Sequence, residues 1–72
     1  MADYRFIPKH LLAMRLNKKW SQKDLAEAAG LTQQQVSKWE RGVREPKVNT
    51  LARAASALGV GMGEFFGEEE TT

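Results

Sequence analysis

Five side chains between positions 33 and 41 are the ones in this sequence best suited to act on a partner: Gln33, Gln34, Ser37, Lys38 and Arg41. On a helix, at about 100° per residue, they fall within a sector of roughly 140°. Val36 and Trp39 fall on the opposite side, where a core would lie. The outward sector holds amides, a hydroxyl and two cations, and no carboxylate. A glutamine amide can pair bidentately with adenine N6 and N7, and Arg or Lys can take guanine O6 and N7 or a phosphate. A polar outer face is ordinary on any helix, so the weight of this one depends on what surrounds it. Other chemistries find little support. There is no nucleophile beside a base, no metal-spaced cluster and no phosphate-cradling glycine loop, so no enzyme, metal or cofactor is expected. His10, the sole histidine, lacks ligand partners at metal spacing and reads as a surface residue.

The elements that must hold those residues are written in two matching starts. Ser21 is a good N-cap with Asp24 three residues on, flanked by Trp20 and Leu25, which gives a capping box inside a hydrophobic staple. Thr32 repeats the pattern with Gln35, and Leu31 and Val36 form its staple. Gly30 lies between, where a helix can end in the left-handed conformation without a Cβ penalty. The spacing predicts one helix over 22–29 and a second over 33–41.

Gln22, Leu25, Ala26, Gly30, Leu31, Val36 and Trp39 together resemble the helix-turn-helix signature of the Cro and phage-repressor type, also called the xenobiotic-response-element family. The resemblance runs from about Leu11 to Phe66, and the Ser-Lys-Trp-Glu-Arg-Gly and Leu-Gly-Val segments share it. It implies an all-α fold, a compact five-helix bundle of the phage-repressor DNA-binding-domain type, with the helix-turn-helix as the second and third helices. It also implies an Arg15–Glu40 pair that orients the end of the reading helix. One departure stands out. Lys19 occupies a position where the family more often has Gly, so the turn there either is not left-handed or is mildly strained.

The rest of the chain divides into an arm at 1–6, a domain at 7–66 and an acidic, disordered tail at 67–72. The arm is expected to be loose, with Tyr4 and Phe6 able to pack on the core. Pro8 suits a first helical turn, and a helix is expected over 8–18. Ile7, Leu11 and Met14 form its core stripe, while Leu12 and Leu16 lie far enough around to pack beneath a neighbour or stay exposed. Local rules make Asn49 the cap of the fourth helix, whereas the resemblance begins that helix near Lys47. Its expected buried stripe is Val48, Leu51, Ala55 and Leu58. A fifth helix is expected from Gly61 or Met62 to Phe66, weakened by roughly 1 kcal/mol for each of Gly61 and Gly63. One of Phe65 and Phe66 closes the core, and the other is free for a subunit contact or stays partly exposed.

Composition limits the alternatives. Seventy-two residues allow one domain with a small core, and 42% apolar residues suffice to pack it. Without cysteine there are no disulfides or thiolate sites, which fits a cytoplasmic protein, and the resemblance adds a prokaryotic nucleoid or a phage or plasmid origin. No apolar run is long enough for a bilayer, so no membrane partner is expected. The net charge is +2, but it is unevenly spread, with residues 1–47 at +5 and residues 48–72 at −3. That asymmetry favours a polyanion against the front half.

The resemblance implies a sequence-specific, double-stranded DNA-binding regulator of the repressor kind, acting as a homodimer on a pseudopalindromic operator. It assigns base reading to Gln33, Gln34, Ser37 and Lys38, and phosphate contacts to Gln22, Arg41, Arg44 and Lys47. The alternative is an antitoxin or coactivator-like adaptor whose main partner is a protein. It would use the acidic tail, Phe65, Phe66 and the Leu12/Leu16 stripe.

Overall fold

The computed structural model describes residues 4–68. Four α-helices form its body: α1 (Pro8–Asn17), α2 (Gln22–Ala29), α3 (Gln33–Glu40) and α4 (Val48–Leu58). Two short strands, β1 (Tyr4–Phe6) and β2 (Phe66–Glu68), flank them, and a 3₁₀ turn at Met62–Phe65 precedes β2. Helices α2 and α3 start at their capping residues, Ser21 and Thr32. Gly30 and Gly59 end α2 and α4 in the left-handed region at φ 70° and 73°. Helix α3 rests on α1 and α2, and α4 rests on α2.

The core gathers Leu11 of α1, Leu25, Ala26 and Ala29 of α2, Val36 and Trp39 of α3, and Leu51, Ala54, Ala55 and Leu58 of α4. Phe6 and Phe65 seal it from the strand side. Small residues at 26, 54 and 55 let the helix backbones approach, while Leu25, Leu51 and Val36 fill the space between them.

Three expectations are corrected. The fifth helix is a single 3₁₀ turn, so the bundle has four helices and a two-stranded antiparallel sheet. Gly61 and Gly63 give little helical drive, and the chain gains more by pairing Phe66–Glu68 with Tyr4–Phe6. In that register Phe6 lies opposite Phe66, and Tyr4 stacks on Phe66 with ring centroids 6.1 Å apart. Residues 4–6 are therefore a strand rather than a loose arm, and residues 67 and 68 belong to its partner. The remainder of the expected arm and tail, 1–3 and 69–72, lies outside the described residues.

The second correction concerns Val48, which is 73% exposed instead of buried. It opens α4, and Cβ atoms tilt toward a helix's N-terminus, so a first-turn side chain overhangs the core. Ala54 takes the buried place instead. Helix α4 begins with Lys47 at the cap position and Asn49 already inside the first turn. The third removes Phe65 as a possible interface residue. It is fully buried and closes the core, so only the half-buried Phe66 retains surface for a subunit contact. Of the second α1 stripe, Leu12 is half-buried and Leu16 is exposed.

Candidate nucleic-acid interface

The interface is built on α2, the turn and α3, and both caps close as full boxes. The Ser21 hydroxyl accepts from the Asp24 N–H at 3.0 Å, and the Asp24 carboxylate accepts from the Ser21 N–H at 2.9 Å. That backbone donor, with help from the Ser21 hydroxyl and the charge of Lys23, holds the Asp24 carboxyl below its ordinary range. The Thr32 hydroxyl accepts from the Gln35 N–H at 3.1 Å, and the Gln35 carbonyl accepts from the Thr32 N–H at 2.9 Å. Between the boxes the Leu31 N–H reaches back to the Ala26 carbonyl at 2.8 Å across Gly30, the long bond of a Schellman turn. Gln35 is thereby spent on the cap, which leaves its two neighbours to point outward.

Gln33, Gln34 and Lys38 are exposed and Ser37 is half-buried, while Val36 and Trp39 are buried behind them. The Arg41 guanidinium folds back along α3, its Nε donating to the Ser37 hydroxyl at 3.3 Å. After α3, Gly42 turns the chain at φ 74°, and the Lys38 carbonyl accepts from the Val43 N–H at 3.0 Å. This short loop brings Arg44 and Lys47 to the side of α3. Lys38, Arg44 and Lys47 line one groove of ≈ 480 Å³ together with Trp39, Thr50 and one carboxylate, Glu45. Three of the sequence-nominated cations thus share a surface. Arg41 stands apart from them, on a second groove of ≈ 470 Å³ with Lys9, Glu40 and Glu68. The place of Lys9 beside Arg41 is not legible in the sequence, because nothing local relates it to α3.

Behind this surface, the Arg15–Glu40 pair is formed. Arg15 Nε donates to Glu40 Oε2 at 2.6 Å and Nη2 donates to Oε1 at 2.9 Å, with both side chains largely buried. The hydrogen bond to Glu40 raises the Arg15 pKa above its ordinary value, against the opposing effect of burial, and the Glu40 charge adds to the rise. The third donor group, Nη1, reaches the Trp20 carbonyl at 2.7 Å. Gln22 is half-buried at the first position of α2, and its Nε2 donates to Glu40 Oε1 at 3.1 Å. That bond was not legible in the sequence, since eighteen residues separate its partners and no periodicity links them.

A helix-turn-helix family model matches residues 11–65, which include all four α-helices from Leu11 onward. The chain belongs to the helix-turn-helix family of the xenobiotic-response-element type. Over 71 residues it is 34% identical to the transcriptional regulator PuuR of Escherichia coli, covering 97% of this chain and 38% of PuuR. The restriction-modification controller protein C.AhdI of Aeromonas hydrophila superposes with a TM-score of 0.79 at 32% identity, covering 82% of this chain and 89% of that one. The biofilm regulator SinR, solved in complex with DNA, superposes at 0.77 with 27% identity, over 81% of this chain and 97% of that one. The chain spans between 26% and 49% of the length of the curated relatives it matches. No helix among the described residues is long and apolar enough to cross a membrane.

Proposed function

We propose that this chain binds double-stranded DNA sequence-specifically, as a repressor that places two copies on a pseudopalindromic operator. Helix α3 enters the major groove, with Gln33, Gln34, Ser37 and Lys38 at the base edges. Gln22, Arg41, Arg44 and Lys47 take the phosphates, which set register and affinity more than sequence. The observation that carries this reading is the α3 face: exposed amides and a cation over a buried Val36 and Trp39, beside a groove lined by Lys38, Arg44 and Lys47. The likeness to SinR, itself captured on DNA, supports DNA as the partner. A single module buries little DNA surface, so high specificity requires a second copy, with Phe66 as its contact.

The test is a titration of Gln33→Ala against a selected operator and each of its single-base variants. Gln33 is exposed and makes no packing contact that folding needs, so stability should stay within about 0.5 kcal/mol. Discrimination at one base pair per half-site should fall by about 1–3 kcal/mol, with non-specific affinity unchanged. Should the variant rank every operator as the parent does, Gln33 reads no base.

A further inference from the structure

We infer that Glu40 is a positioning residue for the DNA backbone: it holds the Gln22 amide so that the start of α2 and the end of α3 engage DNA as one unit. This rests on the DNA-binding reading of the same surface. Glu40 is a three-donor hub, accepting from Arg15 Nε at 2.6 Å, Arg15 Nη2 at 2.9 Å and Gln22 Nε2 at 3.1 Å, with only 5% of its side chain exposed. Arg15 also ties down the Trp20 carbonyl, immediately before the Ser21 cap of α2. Three elements therefore meet at one carboxylate.

The chemistry of that carboxylate fixes the amide. Ionised, it can only accept, so the Gln22 side chain must turn its nitrogen inward and cannot flip. One N–H is spent on Glu40 and the other remains on the same nitrogen. Gln22 is also the first residue of α2, where backbone N–H groups have no acceptor within the helix and suit an anion. The side chain's rotamer freedom is given up on folding, before any DNA arrives, so none is lost on binding. The bidentate Arg15 neutralises Glu40, so its negative charge does not repel a phosphate placed against Gln22.

The experiment is a double-mutant comparison in affinity. Because removing one partner would strand a buried charge, the pair is replaced together by apolar residues, Arg15→Met with Glu40→Met. The parent, Gln22→Ala, the pair variant and the triple variant are titrated on a selected operator after circular dichroism and urea unfolding have verified the fold. Gln22→Ala should weaken binding to all sequences about 10-fold, with the salt slope unchanged because glutamine is neutral. The pair variant should lose a similar factor, and adding Gln22→Ala to it should cost nothing more. A folded pair variant that binds like the parent, or losses that multiply in the triple, would overturn the inference. A second measurement needs no variant: in NMR exchange spectra of the parent, the Gln22 side-chain amide should exchange more slowly than those of Gln33 and Gln34. Equal rates would also overturn it. If selection recovers no operator, the DNA-binding reading itself falls; an operator with multiplying losses removes only the role of Glu40.

Discussion

At the scale of single residues, the chain departs from helix-turn-helix habit most clearly at Lys19, which adopts φ 61° at the end of α1. The turn is left-handed because the Trp20 N–H closes back on the Arg15 carbonyl at 3.2 Å, and a Cβ in that region is disfavoured. Lys19→Gly should stabilise the fold by roughly 0.5–1 kcal/mol, read from the urea midpoint at constant m-value. A decrease would mean that the lysine makes a compensating contact. Arg44 and Lys47 make a second, functional pair of predictions. If each neutralises a phosphate, changing either to Ala should weaken all sequences about equally and flatten the salt slope by about one unit. A loss confined to one sequence would remove that residue from the backbone set.

Individual elements show what the sequence could and could not display. Both capping boxes, the Gly30 turn and the start of α1 at Pro8 were legible because each depends on residues within five positions of one another. The split of α3 into an outward and a buried face was legible for the same reason, since helical periodicity alone sorts the exposed Gln33 and Gln34 from the buried Val36 and Trp39. The sheet was not. Its two three-residue strands lie some sixty positions apart, too short for any alternation to show, and each is stable only because the other exists. Gly67 shows how closely this sheet sits on α1: a Cβ there would lie 3.1 Å from the His10 ring. Gly67→Val should therefore cost about 1–3 kcal/mol by thermal or urea unfolding, and an unchanged midpoint would mean that His10 simply swings away. The α2 cap offers a pH test. The folded Asp24 carboxyl titrates below its unfolded value of about 3.9, so its contribution is complete above that value. It is lost as pH falls through the lower folded value. Stability curves of the parent and Asp24→Asn should therefore converge at the acidic end, and a gap independent of pH would place the effect elsewhere.

At the scale of the molecule, the core and the interface share one skeleton. The Arg15–Glu40 pair links α1 to α3, and the terminal sheet closes the core on the side of Phe6 and Phe65. The positive front half carries the proposed DNA contacts, and the acidic residues concentrate toward the C-terminal end. A net positive front half favours a polyanionic partner, and under the proposed reading the exposed amides of α3 discriminate sequence. The most direct measurement is selection from randomised duplexes followed by sequencing of the bound pool. The bound pool should hold a pseudopalindrome whose half-sites are centred about 10 base pairs apart, or a multiple of that, with adenine enriched at a fixed place in each half. A pool that stays random, with binding that depends on salt but not on sequence, would contradict the proposed reading.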